Sequence, residues 1–162
     1  MPRPANNTTV TRFATRATPR FPLTIYYDAS CPLCAAEMHA LRDYDRDSQL
    51  RLIDCSCAGF TDSAAAAAGL TQAELMRMIH ARDAAGRWYR GVDVFEHAYR
   101  VAGIDAVARF WAGGRLRPLL ERLYLWIARN RMWFSRLRAN ALFGWCVRRA
   151  AQKAQRRACR VN

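Results

Sequence analysis

A β-branched and aromatic run, Leu23-Thr24-Ile25-Tyr26-Tyr27, is followed, after four intervening residues, by a proline that opens a helical pattern. This junction constrains the chain more than any other feature. The run reads as a buried strand, and Asp28-Ala29-Ser30 end it with turn- and cap-forming side chains. A helix is predicted from about Pro32 to Tyr44: proline suits a first helical turn, and Leu33, Ala36, Ala40, Leu41 and Tyr44 recur at helical spacing. Leu50-Arg51-Leu52-Ile53-Asp54 reads as a second strand, which completes a parallel strand–helix–strand unit.

Further along, residues 62–69 read as a second helix stopped near Gly69, and Thr71 with Glu74 forms a capping box for one further turn. Residues 76–81 read as a third strand, Asp83-Ala84-Ala85-Gly86 as a turn and residues 87–90 as a fourth strand, an antiparallel hairpin. Gly91 breaks it, and a helix from about Val92 to Val101 stops near Gly103. The order β-α-β-α-β-β-α predicts an α/β domain: a mixed sheet with helices on its faces, over about residues 22–103.

The charge is distributed unevenly around this domain. The 162 residues carry 26 Lys+Arg and 13 Asp+Glu, a net charge of +13. Residues 1–20 are at +4, residues 21–110 at −3 and residues 111–162 at +12. The basic character therefore belongs to the ends, which argues against a nucleic-acid-binding domain. A hydrophobic fraction of 52% excludes wholesale disorder. No apolar stretch approaches membrane-spanning length, and the first twenty residues lack the apolar core of a secretory signal. A cytoplasmic location is expected. Residues 1–21, rich in Arg, Thr and Pro, read as a flexible basic arm with some of the look of a transit peptide.

Residues 104–162 read as a helical, Arg-rich extension packing on the domain. Leu116, Leu119, Leu120, Leu123, Trp126 and Ile127 fall on one stripe, and Gly113-Gly114 reads as a hinge. Trp133, Phe134, Leu137, Leu142, Phe143 and Trp145 precede Arg148, Arg149, Lys153, Arg156, Arg157 and Arg160. Such helices also suit peripheral contact with an anionic membrane through residues 116–162.

The chemistry lies at the opening junction, in Cys31-Pro32-Leu33-Cys34. A C-x-x-C beside a βαβ pattern points to a thioredoxin-like redox pair. A thiolate at a helix N-terminus is stabilised by unpaired backbone N–H groups and by the helix dipole. Cys31, nearer the start, is expected to attack and Cys34 to resolve the mixed disulfide. Asp28 reads either as a carboxylate that manages protons or as a turn and capping residue.

Residues 26–34, Tyr-Tyr-Asp-Ala-Ser-Cys-Pro-Leu-Cys, resemble the signature of the DCC family of thiol-disulfide oxidoreductases (domain of unknown function 393). The resemblance continues through Gly86–Phe95 and into Tyr124–Arg131, where a Tyr, an Ala and an Asn-Arg pair are also family-like, and spans about residues 22–138. It implies a thioredoxin-like fold with Asp28, Cys31 and Cys34 as the site. Ala29 stands where Gly is common in the family, which argues against an obligatory positive φ there. Thioredoxins place a cis-proline before the third strand, whereas this chain has no proline between Pro32 and Pro118. Its substrate-facing loop near residues 74–76 must therefore differ.

The expected activity is thiol–disulfide exchange of the protein-disulfide reductase type, on a disulfide-containing protein or a small thiol. No bound cofactor is expected, only an external electron donor, and nucleic acid is not expected as a partner. The rival reading is a non-enzymatic module, either a peripheral membrane adaptor or a zinc site. Cys31, Cys34, Cys55 and Cys57 make C-x2-C-x20-C-x-C, and four thiolates hold zinc tetrahedrally. Cys55 and Cys57 read more simply as small residues after a strand, and Cys146 and Cys159 as incidental. His39, His80 and His97 form no ligand cluster by spacing.

Overall fold

The computed structural model describes residues 13–15, 17–136 and 149. The first strand, β1 (Leu23–Tyr27), leads into α1 (Pro32–Tyr44) and β2 (Leu50–Asp54). Two short helices follow, α2 (Ser63–Ala67) and α3 (Gln72–Arg77), then β3 (His80–Arg82) and β4 (Trp88–Arg90). Three helices close the described chain: α4 (Val92–Val101), α5 (Asp105–Ala112) and α6 (Arg117–Arg136). The strand order is β2-β1-β3-β4. β1 pairs in parallel with β2, Ile25 opposite Leu52, and antiparallel with β3, Ile25 opposite Ala81. The α/β class and the mixed sheet expected from the sequence are those observed.

β1 sits centrally because both of its faces are apolar. Leu23, Ile25 and Tyr27 join Met38 and Leu41 of α1 and Val94, Ala98 and Tyr99 of α4 in one core cluster. Tyr26 points the other way, into a smaller cluster with Ala65 of α2, Leu75 of α3, Trp88 and Cys55. Alternate side chains of a strand face opposite sides, so this division makes three layers, helices–sheet–helices.

The expected third strand needs correction. Met76 and Arg77 are the last residues of α3, and the strand begins only at His80. The Thr71–Glu74 capping box is present. It launches a helix of six residues, longer than the single turn expected, and postpones the strand until His80 pairs with Tyr26. The hairpin turn is held by Asp83, whose carboxylate accepts from the backbone N–H groups of Arg20, Ala85 and Arg87 and from the Arg87 guanidinium.

The helices after residue 103 continue the same core, to which Ile104, Ala108 and Tyr124 contribute. Gly113 ends α5 in the left-handed conformation and passes the chain through a tight turn, Gly114–Leu116, into α6. A side chain at Gly113 would lie 2.8 Å from Leu120. The expected stripe on α6 is divided by the structure. Leu120 is buried, whereas Leu116 and Leu119 are 63% and 62% exposed, and Leu123 and Trp126 are exposed too. Polar groups claim the inner face instead: Arg117 pairs with the buried Asp93, and Tyr124 and Arg131 reach back to the sheet. No helix among the described residues is long and apolar enough to cross a membrane. Residues 137–148 and 150–162, which include Cys146, Cys159 and much of the basic segment, lie outside the described residues, as do the readings made of them.

Candidate functional site

The site forms where β1 ends. Asp28 Oδ1 accepts from the Ser30 backbone N–H at 3.0 Å and from the Ser30 hydroxyl at 2.5 Å, folding the three residues into a tight connection. Asp54, at the end of β2, fixes the same turn by accepting from the Ala29 N–H. Ala29 has no positive φ, as its side chain required. Cys31 is thereby placed as the N-cap of α1, with Pro32 in the first turn.

Cys31 and Cys34 are brought together. The Cys31 sulfur accepts from the Cys34 backbone N–H at 3.3 Å, and the Cys34 thiol points to it with the sulfurs 2.6 Å apart. This hydrogen bond, followed by burial and the charge of Cys31, pushes the Cys34 thiol far up; Arg131 pulls it the other way. Cys31 is 0% exposed, while Cys34 is partly open and lines a cavity of about 220 Å³. Cys34 therefore lies on the cavity side of Cys31.

The cavity walls are apolar, with Leu33 and Met38 from α1, Met78 before β3, Phe95 from α4, Trp111 from α5 and Ile127 from α6. Tyr27, Asp28, Glu37, Tyr124 and Arg131 are residues of its lining that carry polar side-chain groups besides Cys34. The Asp28 carboxylate, 4% exposed, accepts from the Arg131 guanidinium at 2.6 Å, and Arg131 also donates to the Met76 carbonyl at 2.5 Å. The Tyr124 hydroxyl accepts from the Ile79 N–H at 3.0 Å. The Tyr124 ring approaches Gly91 so closely that a Cβ there would meet it at 3.3 Å, and Gly91 has φ +59°.

Glu37 lies one helical turn beyond Cys34, so the two share a face of α1. Burial pushes its carboxyl up to about 7, opposed by the hydrogen bond it accepts from the Tyr99 hydroxyl at 2.9 Å and reinforced by Cys31. Asp28 thus lines the cavity with both oxygens engaged, Oδ1 by Ser30 in the turn and Oδ2 by Arg131. Glu37 is the titratable group the sequence reading passed over. Its signal was the three-residue spacing from Cys34. Arg131, 103 residues away from Asp28, carried no spacing signal, only the family resemblance of Tyr124–Arg131.

The second cysteine pair stays apart from the first. Cys55 is buried in the smaller core cluster, as a small residue after a strand, and Cys57 is exposed with its thiol 3.6 Å from Asp54 Oδ2. No three His, Cys, Asp or Glu side chains among the described residues gather as a metal site, so the four-cysteine zinc reading has no geometric support there. His39 lies beside the Tyr27 hydroxyl at 3.4 Å, and His97 packs edge-on against Tyr89.

A mixed sheet with a C-x-x-C pair at the N-terminus of the first helix is consistent with a thioredoxin-like fold. The model of the DCC1-like thiol-disulfide oxidoreductase family matches residues 25–137. The chain belongs to that family, whose name carries the general activity. No curated protein matches the chain, and neither does any solved structure. The later family-like residues now have places: Tyr124, Ala128 and Arg131 all line the cavity at Cys34.

Proposed function

We propose that the protein reduces disulfides by dithiol exchange, Cys31 attacking and Cys34 resolving. The observation that carries this reading is the pair itself, with the Cys34 N–H and S–H both directed at the Cys31 sulfur. These donors and the start of α1 favour negative charge on Cys31, while Cys34 keeps the proton. Rotating the Cys34 side chain about χ1 opens Cys31 to the cavity, because Cys34 is the sulfur that lines it.

Proton transfer is divided between the two carboxylates. Glu37, on the same face of α1, takes the Cys34 proton when the mixed disulfide is resolved; a group poised near neutral pH suits that exchange. Asp28 assists by holding Arg131 at the cavity, where the guanidinium favours the Cys34 thiolate as it forms.

Mixed-disulfide trapping tests the assignment. Cys34→Ser should accumulate a stable adduct on Cys31, and Cys31→Ser should accumulate none. An adduct on Cys34 alone would reverse the order of the sulfurs. No adduct in either variant, with a wild-type pair that does not titrate against a glutathione buffer, would remove the exchange activity.

A further inference from the structure

We infer that the cavity beside Cys34 binds the apolar half of a small disulfide, an aryl or short alkyl disulfide, and that this class is the substrate in preference to an extended polypeptide. The inference rests on the exchange activity proposed above and narrows it.

Three observations lead there. The first is size and lining. A cavity of about 150 Å³ walled by aliphatic and aromatic side chains holds benzene; this one, at about 220 Å³, has room for a ring and a short chain. Phe95 and Trp111 are stacked with centroids 5.1 Å apart, and Met38 and Met78 add adaptable walls. The second is position, since the same space is lined by Cys34, so an apolar group inside it brings an attached sulfur to the dithiol.

The third observation concerns what a polypeptide would need. An extended chain docks on a sheet-like edge through free backbone N–H and C=O groups. The segment facing the dithiol is the connection from Met76 to Ile79, and four of its backbone groups are already engaged. The Met76 carbonyl accepts from Arg131, and the Ile79 N–H donates to Tyr124. The Ile79 carbonyl accepts from the Gly91 N–H at 3.0 Å, and the Met78 carbonyl lies 2.9 Å from His80 Nδ1. Two of these partners belong to α6, which therefore stands where a substrate strand would pair.

The reaction balances within the site. The Cys31 thiolate attacks one substrate sulfur; the substrate S–S bond breaks, a Cys31–S–S–R bond forms and RS⁻ leaves. Cys34 yields its proton to Glu37 and attacks the Cys31 sulfur, which forms the Cys31–Cys34 disulfide and releases the second RS⁻. Glu37 and water protonate the two thiolates. The substrate gains two electrons and the dithiol loses two, and an external dithiol restores the reduced pair.

The test uses the full-length reduced protein in single turnover with three probes: dibenzyl disulfide, hydroxyethyl disulfide and a disulfide-linked peptide pair. Each rate is divided by the rate at which a free monothiol attacks the same probe. Dibenzyl disulfide should exceed the other two by at least about tenfold on this scale. Ala128→Trp and Ile127→Phe, which fill the cavity from α6, should each bring the dibenzyl-to-hydroxyethyl ratio close to one. A normalised peptide rate equal to or above the dibenzyl rate overturns the inference and leaves exchange standing. So does a ratio unchanged in both filled variants. Absence of reaction with every probe overturns the exchange activity itself.

Discussion

The contact between Asp28 and Arg131 joins α6 to the dithiol loop, and its energy is open to measurement. Asp28 is 4% exposed and Arg131 19%, with their charged atoms 2.6 Å apart. Removing one partner of a fully buried pair costs about 3–5 kcal/mol, because the remaining charge is left without compensation. Arg131 keeps a fifth of its side chain in solvent, and Asp28 keeps its hydrogen bonds from Ser30, so the lower end applies. Arg131→Met should cost about 3 kcal/mol, a figure that includes the donor lost by the Met76 carbonyl. Asp28→Asn retains the shape and the Ser30 contacts and should cost about 2 kcal/mol. If the two side chains act through each other, the double variant costs about 2 kcal/mol less than the sum. The assay is urea unfolding of the reduced proteins at pH 7. With m of about 2 kcal/mol/M, Arg131→Met should lower the midpoint by about 1.5 M without changing the slope. Amide exchange at Ile79 should quicken in the same variant, because α6 holds that N–H through Tyr124. A coupling below about 0.5 kcal/mol together with unchanged exchange at Ile79 would refute the docking of α6 on the site.

Two other predictions concern carboxylates that the fold shifts in opposite directions. Glu37 is pushed from 4.5 up to about 7 by burial, with Tyr99 opposing and Cys31 reinforcing. A raised carboxyl binds its proton more tightly folded than unfolded, so stability falls as pH rises from about 4.5 to about 7. At roughly 1.4 kcal/mol for each pH unit the whole effect is about 3 kcal/mol. Glu37→Gln should match the wild type in denaturant at pH 4.5, exceed it by up to about 3 kcal/mol at pH 8, and slow resolution of the mixed disulfide near neutral pH. Equal pH profiles for the two proteins would remove Glu37 as the titrating group. Asp83 shifts in the opposite direction. Burial works to raise it, but the N–H groups of Arg20 and Arg87 and the Arg87 guanidinium outweigh burial and hold it down. Its stabilisation is present above the ordinary carboxylate range and is lost as pH falls through the depressed value. Asp83→Asn should cost about 2–4 kcal/mol at pH 7 and flatten the acid limb of the unfolding curve.

The parts of the fold that were legible in the sequence are those set by local chemistry. The Leu23–Tyr27 run, Pro32 at a helix start, the Thr71–Glu74 box and the Asp83–Gly86 turn each announce their structure within a few residues. The cysteine pair was legible for the same reason. The start of β3 was misplaced because a helix cap and a strand pattern compete over Met76–Ile79, and only pairing with β1 decides where the strand begins. The stripe on α6 was misread for a related cause. Its leucines obey helical periodicity, but the inner face is chosen by Arg117, Tyr124 and Arg131, whose partners Asp93, Ile79 and Asp28 lie in distant segments. Periodicity identifies an apolar face; it does not reveal which polar side chains have a buried counterpart elsewhere.

The separation of charge along the chain follows partly from those same contacts. The central segment is acidic and buries Asp28 and Asp93, at 4% and 6% exposure. A buried carboxylate needs a counter-charge as well as hydrogen bonds, and residues 21–110 do not provide one for either. Both counter-charges are arginines of α6, at 2.6 Å from Asp28 and 2.5 Å from Asp93. One consequence reaches the site itself. Arg131 cannot neutralise Asp28 without laying α6 over the Met76–Ile79 connection, so the pairing that makes a buried Asp28 tolerable also closes the edge a polypeptide would use. On the substrate preference proposed above, electrostatic compensation and substrate selection are two results of one helix placement, and a chain that lost the first should also lose the second.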